Sequence, residues 1–575
     1  MPAHNTIHTE HTHTGLQSFL LNLGLTVLSV LLFAASFPNL LIENGFPFFA
    51  WIAYVPILII LYRLNLAASV FWGALYGYAA YGLFNYWLSA FHPLAGLIVN
   101  SVYLVYNAAL FFALKLAILF FPRRAYLVHL LIWLAYEYLR TLGFLGYSYG
   151  ISGYSQWRMI PLIQIARIFG VWGVSALVVF PSAWLANLIW NISRKGAEAP
   201  RKEKRLRIPH LKNFAPSRLC AFAGIKKEEV FIFSMWVFAV TAALVYGFAV
   251  PSDYSEAPQV NIALIQHNTD PWRGGIEAYR SNYVTLKRLS DQALAAQPKP
   301  DLVVWSETAF VPRIFWHETY RDDQSSWLLV KELLEYLEQQ DIPFIIGNDD
   351  ARKDPGKNPD ARESFRVDYN AAMLYEHGKN TALYRKLHLV PFTEHFPYEK
   401  QLPAIYRALV NADTHFWEKG NEAVVFSPAQ QPQRPNLKFS TPICFEDSFG
   451  YLSRNFVKNG AELIVNISND AWSQSLPAQN QHLGMAVFRA VENNRSMVRA
   501  TASGQTCGIA PNGTIIAMAP PFTEAWLTVA IPVIKGNTVY TGWGDAPAAA
   551  CTALAFFLLL FGGIKCIITK KQRIS

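Results

Sequence analysis

Three polar side chains stand at or near the ends of apolar runs and have the types that covalent catalysis requires. Glu307 closes Asp-Leu-Val-Val-Trp-Ser-Glu, Lys386 lies in Tyr-Arg-Lys-Leu-His-Leu-Val-Pro-Phe, and Cys444 closes Phe-Ser-Thr-Pro-Ile-Cys. The runs are β-favouring, and an α/β fold collects its site at such strand ends. Each residue alone has a plainer reading: a solvated strand end, a surface cation, a small buried hydrophobe. Together they offer a base, a cation and a nucleophile, which is the equipment for acyl transfer through a thioester. A free thiol ionises near ~8.5 and a model Glu near ~4.3, so the proton transfer is uphill by roughly 6 kcal/mol. The surroundings must close that gap.

The elements that position these residues include membrane spans. A chain of 575 residues with 52% hydrophobic and only 15% charged residues is too apolar for an ordinary soluble protein. Spans are expected near Leu16–Ser36, Phe48–Leu64, Ala68–Phe91, Leu97–Phe121, Tyr126–Leu145, Gly170–Ile192, Val230–Val250 and Ala546–Ile568. The first is too long for a signal-peptide core and has no cleavage pattern, so it is expected to stay. Eight spans put both termini on one side. Arg63, Arg123, Arg124, the basic loop at 194–228, and Lys570, Lys571 and Arg573 then share that side. By the positive-inside rule it is cytoplasmic, and residues 252–540 lie outside the inner membrane.

The net charge of +9 falls largely in that one loop, so it reads as a topology signal and not as a nucleic-acid surface. Five cysteines show no metal-ligand or disulfide spacing, and Cys507 reads as core. The histidines at 4, 8, 11 and 13 belong to a disordered tail over 1–15. Glu137 and Arg140, three apart within a span, read as a buried pair. Tyr86, Trp87, Tyr147 and Trp157 read as an interfacial belt.

From Pro258 strands and helices alternate, which predicts a layered α/β domain. Strands are expected at Val260–Gln266, Leu302–Trp305, Ile342–Ile346, Ala371–Tyr375, Val424–Phe426, Leu437–Ile443 and Leu463–Ile467, with helices at Tyr279–Ala295 and Trp327–Gln340. The charged stretch Asp349–Glu363 reads as a mobile surface loop.

In order and spacing, Glu307, the Arg-Lys-Leu-His-Leu-Val-Pro-Phe run and Ile-Cys-Phe-Glu resemble the Glu-Lys-Cys triad of the nitrilase superfamily. With Asn-Ile-Ser-Asn-Asp-Ala-Trp at Asn466–Trp472 and the spans, nearly the whole chain is similar to its membrane-embedded branch, the apolipoprotein N-acyltransferases. That resemblance implies an α-β-β-α sandwich at 252–540, while hydropathy and charge put seven spans within 16–251, an eighth at 546–568 and a cytoplasmic tail at 569–575. It implies Glu307 as base, Cys444 as nucleophile and Lys386 as oxyanion donor. Glu394 then matches the family's second glutamate, and Trp272 and Glu446 match other functional positions. Phe445 stands where the family usually has tyrosine, so the ring is kept and the hydroxyl is absent. Trp472 belongs to the site wall with Asn469 and Asp470. Trp272 either shapes the acyl pocket or is a plain core residue.

The implied reaction takes an acyl chain from a phospholipid and delivers it to the diacylglyceryl-cysteine of an apolipoprotein within the bilayer, with no metal, cofactor or nucleic acid. Two alternatives are a membrane-anchored amidase that hydrolyses a soluble amide, and a catalytically silent transporter or scaffold. Sparse ionisable residues in the spans count against a transport path.

Overall fold

The computed structural model describes residues 7–91, 93–198, 227–270, 272–353, 366–411, 416–429 and 436–574. Most of the basic loop lies outside them. The first helix, Ile7–Ser36, is described from within the stretch read as a disordered tail.

Among the described residues, five helical segments are long and apolar enough to cross a membrane: Gly15–Ser36, Ala95–Phe120, Val171–Ser193, Lys227–Ala249 and Ala546–Lys570. Of the eight expected spans, the described residues show five as single helices of that length and hydropathy. Residues 47–63 split into a 3-10 turn, Pro47–Trp51, and a short helix, Val55–Arg63. Residues 125–139 stop after 15 residues. The helix Leu66–Phe84 is rich in Gly, Ala and Tyr, which serves packing more than hydropathy. A Cβ on Gly73 would lie 2.2 Å from the Phe111 ring, and one on Gly77 2.5 Å from Asn107. Glycine there lets this helix press against Pro93–Phe120.

The second region is an α/β domain. Its strands are β1 (Gln259–Gln266), β2 (Leu302–Trp305), β3 (Phe344–Lys353), β4 (Arg366–Glu376), β5 (Lys379–Arg385), β6 (Phe439–Ser440), β7 (Leu463–Ser468), β8 (Ser496–Thr501), β9 (Cys507–Ile509), β10 (Ile515–Met518) and β11 (Ala525–Pro532). They form a six-stranded sheet, β11-β1-β2-β3-β4-β5, and a five-stranded sheet, β10-β9-β8-β7-β6. Alternate residues face opposite layers. Ile262, Leu264 and Val304 pack between the sheets with Val465, Val498 and Ile531. Ala263, Ile265 and Val303 pack outward with Leu286, Leu329 and Leu333 of the helices Ile276–Ala295 and Gln324–Glu338. On the far side of the five-stranded sheet lie the helices Gly450–Lys458 and Leu476–Asn493.

Three expectations change here. Val424–Phe426 forms only a single bridge, Phe426 to Phe439, and Leu437–Ile443 is a strand only at β6. Asp349–Lys353 is the end of β3, not loop, because β4 pairs with it through Lys353 and arginines neutralise its acids. Residues 354–363 are outside the described residues.

The helix Leu476–Asn493 is buried along its length because the membrane helices cover what the sheet does not. Trp87 Nε1 donates to Gln481 Oε1 at 3.1 Å, and Trp157 packs over Gly484. Trp87 and Trp157 are thus buried against protein instead of forming a headgroup belt. Gln481 Nε2 donates to the Pro38 carbonyl and Gln164 Nε2 to the Asn512 carbonyl, which ties both regions together.

Candidate active site

Glu307 lies two residues beyond β2, where Thr308 turns the chain at φ +47°. Gly347 on β3 allows this turn to approach: a Cβ there would sit 2.4 Å from the Ser306 carbonyl oxygen. The carboxylate is then held on three sides. Asn370 Nδ2 donates to Oε1 at 2.8 Å, the Asn469 backbone N–H donates to Oε2 at 3.0 Å, and Lys386 Nζ lies 3.3 Å from Oε1.

Lys386 follows β5 and is fully buried, so it is stable there only as a paired cation. Its Nζ donates to Glu394 Oε1 at 2.8 Å, and Glu394 Oε2 accepts from the Val390 N–H at 2.8 Å. Burial pulls the lysine pKa down, but Glu394 and Glu307 more than offset this and hold it well above the usual range. Burial pushes Glu394 up, against the pull of Lys386.

Cys444 opens the 3-10 turn Cys444–Ser448 in a left-handed conformation, φ +52°, which is strained for a residue with a side chain. Two anchors sustain it. Glu446 is buried beneath the turn and accepts from the Ile443, Leu387 and His388 N–H groups and the Tyr384 hydroxyl, all within 2.7–2.9 Å. Burial raises its pKa to about 7 even though these donors favour the anion. Asp447 meets His482 Nε2 at 2.6 Å and pairs with Arg499, which also reaches Asp470 at 3.3 Å. Asp447 holds His482 up at about 9 against burial, so this cluster contains two carboxylates and two cations.

The thiol is half-buried. Burial first, then the Glu307 charge, push its pKa well above the ordinary value, and Lys386 draws it back. Cys444 therefore rests as a protonated thiol that feels the charge of a carboxylate, which suits base-assisted attack and not a preformed thiolate.

The other expected residues are placed as follows. Phe445 is buried between the His388, Phe449 and Tyr147 rings. Trp472 packs on Trp87, centroids 5.6 Å apart. Trp272 is 60% exposed, which removes the core reading for it. Glu137 and Arg140 do not pair with each other. The helix ends at Leu139, so Arg140 turns to the carbonyls of Tyr147 and Tyr149, while Glu137 accepts from Ser152. Both thereby fix the loop whose Tyr147 ring meets Phe445, the residue after Cys444. Sequence reasoning missed Asn370, Tyr384 and Asp447. The one signal for Asn370 was a polar residue in the otherwise apolar inner part of β4. No group of His, Cys, Asp and Glu among the described residues is arranged to hold a metal ion.

A carbon-nitrogen hydrolase family model matches residues 261–535, and a model for the apolipoprotein N-acyltransferase N-terminal domain matches residues 29–184. Apolipoprotein N-acyltransferase 1 of Treponema denticola is 46% identical over 554 residues, covering 94% of this chain and 96% of that protein. Its namesake in Treponema pallidum is also 46% identical, covering 94% and 95%. The apolipoprotein N-acyltransferase of Geobacter metallireducens is 30% identical, covering 92% and 93%. The fold, the Glu307, Lys386 and Cys444 constellation and end-to-end similarity agree: the chain belongs to the apolipoprotein N-acyltransferase family.

Proposed function

We propose that this protein moves an acyl chain from a membrane phospholipid to the α-amine of a diacylglyceryl-cysteine at the N-terminus of an apolipoprotein. Cys444 Sγ attacks the ester carbonyl carbon as Glu307 takes the thiol proton. Lys386 and the Phe445 N–H, in the first turn of the 3-10 helix, stabilise the oxyanion. The tetrahedral intermediate collapses with cleavage of the carbon–oxygen bond, and the proton passes from Glu307 to the lysophospholipid oxygen. The acceptor amine then attacks the thioester, its proton goes to Glu307 and on to the departing thiolate, and an amide forms. Glu394 keeps Lys386 charged and aimed. Trp272 and Trp472 form the approach to the thiol, and Glu446 supports the turn.

The observation that carries this reading is the seam at the nucleophile. Tyr147, from the membrane region, packs against Phe445, and Trp87 packs against Trp472. A soluble amide would not require membrane elements in the wall of the site. A silent scaffold would not retain a buried lysine between two carboxylates, an arrangement that costs folding energy with nothing gained in return.

We also infer eight crossings, with the shorter helices completing the bundle, and residues 252–540 outside the inner membrane. Arg124 pairs with Glu228 at 2.5 Å, which brings the start of the helix Lys227–Ala249 to the basic end of the bundle. Pro38, Trp87 and Tyr147 meet the catalytic domain at the other end.

The test is purified protein in lipid incubated with phospholipid alone, followed by mass spectrometry of the Cys444 peptide. A thioester that is absent from Cys444→Ala, and that a diacylated lipopeptide discharges to its amine, is the expected result. Discharge only to water would favour the amidase, and no adduct the silent protein.

A further inference from the structure

An open cleft of about 290 Å3 is lined by Asn268, Thr269, Asp270, Gln474, Ser503 and Phe522, with Ala471. Two relationships place it beside Glu307. β1 and β2 run parallel with Ile265 level with Trp305, so the stretch from Asn268 leaves the sheet at the same edge as Glu307. Ala471 is two residues past Asn469, whose N–H holds Glu307. One wall is therefore shared with the reaction site.

The lining chemistry selects among the groups a substrate would bring. A phospholipid headgroup carries a phosphate, which seeks Arg, Lys or clustered N–H donors. None of the described lining residues is Lys or Arg. They are instead amides and hydroxyls, which both donate and accept, with one carboxylate at Asp270. This is the complement of a peptide main chain bearing short uncharged side chains. Thr269 Oγ1 is enclosed and has no hydrogen-bond partner, and a buried hydroxyl in that state needs one. Ser503 Oγ is already committed to Asn268 Oδ1 at 2.6 Å, so Thr269 and Gln474 are left to meet a ligand. Asn268, Gln474 and Phe522 all have positive φ, 48°, 42° and 57°, and the rim holds these strained conformations together.

We propose that this cleft binds the peptide segment that follows the acylated cysteine of the acceptor, so that the acceptor amine is oriented towards the Cys444 thioester. The proposal rests on the acyltransferase reading and adds a part of the acceptor that the site recognises. Thr269 and Gln474 are positioning residues: they touch the peptide and leave the reacting atoms to the triad.

The experiment separates the two half-reactions in full-length protein in phospholipid vesicles. Thioester formation is measured with phospholipid alone. Discharge is measured with a diacylglyceryl-cysteinyl peptide carrying a short uncharged extension, and with diacylglyceryl-cysteine amide, which ends at the cysteine. Gln474→Tyr fills the cleft, and Thr269→Val removes the hydroxyl at constant shape. For the extended acceptor KM should rise about tenfold in Gln474→Tyr and about threefold in Thr269→Val, the weight of one lost hydrogen bond or more. KM for the amide and the rate of thioester formation should stay within about twofold of wild type, given the placement outside the triad. Equal effects on both acceptors would overturn the proposal, as would no effect on either. Slowed thioester formation in Thr269→Val would assign the cleft to the phospholipid instead. A wild-type protein that forms no thioester would defeat the acyltransferase reading itself, which is a different outcome.

Discussion

Lys386 Nζ lies 2.8 Å from Glu394 and 3.3 Å from Glu307, so the lysine is bonded more closely to Glu394 than to the proposed base. The asymmetry matters for chemistry. A base fully paired with an adjacent cation would be a weak one, and Glu394 draws that cation aside. Glu394→Gln should let Lys386 close on Glu307 and slow thioester formation about 100-fold, against a loss of 10³ or more for Glu307→Gln. Single-turnover rates at saturating phospholipid measure this. A Glu394→Gln rate close to wild type would show that Lys386 needs no second partner.

Cys444 gives a test in which reactivity and catalysis part company. The Glu307 charge helps to raise the thiol pKa, and Lys386 opposes it. Glu307→Gln should therefore lower the pKa, because one raising influence is gone and the lysine remains. In a background without Cys220, Cys507, Cys551 and Cys566, the pH dependence of alkylation should shift to lower pH in Glu307→Gln, while acyl-enzyme formation is lost. An upward shift would mean that the Glu307 charge is not what holds the thiol up.

Glu307, Lys386 and Cys444 were legible as candidates because each stands at or near the end of a β-favouring run, a pattern that survives without any knowledge of the fold. The six-stranded sheet was legible at β1 and β2 for the same reason. The rest of the site depends on pairings that period and propensity do not carry. Asn370 reaches Glu307 only because β4 pairs with β3 over ten residues, and Asp447 reaches Arg499 only once β8 lies beneath the nucleophile turn. Glu137 and Arg140 have the spacing of a helical pair, but the helix stops between them and Arg140 finds carbonyls instead. Eight spans were read where five described helices are long and apolar enough to cross, because hydropathy does not see the turn at Pro47–Trp51 that divides one of the runs. Trp87 and Trp157 resembled a headgroup belt because sequence gives no sign that a protein surface covers them.

His482 predicts a pH dependence of stability. It is faced by Asp447 and Asp470, by Arg499 and by the Tyr149 ring, and Asp447 lifts its pKa from an unfolded value near 6.5 to about 9. A raised folded pKa gives stability that is complete below pH 6.5 and is lost as pH rises through 9, worth about 3 kcal/mol at order of magnitude. Melting temperature in detergent should fall between pH 6.5 and 9.5 in wild type. In His482→Gln it should be lower at pH 6.5 and should fall less across the interval. An equal slope in both would place the titrating group elsewhere.

Phe144 offers a way to separate the membrane contact from the catalytic groups. It stands on the loop that follows the helix Ala125–Leu139 and packs edge-on against Phe392, Phe396 and Tyr398, with centroids 5.2, 6.2 and 5.6 Å away. Those rings flank Glu394, and Phe392 itself is held at φ +66°. Each aromatic contact contributes about 0.5–1.5 kcal/mol beyond burial, so Phe144→Ala should release the 390–398 loop by about 2 kcal/mol without opening the main core. Hydrogen exchange over 390–398 should then rise about tenfold or more, since 1.4 kcal/mol is a factor of ten. Thioester formation should slow because Glu394 no longer holds Lys386 aside, while the melting temperature changes little. Phe144→Leu, which keeps an apolar side chain at the contact, should restore part of both signals. Faster exchange with an unchanged acylation rate would mean that Glu394 keeps its place through Lys386 and the Val390 N–H alone, and that the membrane region contributes a wall and not the order of the catalytic loop.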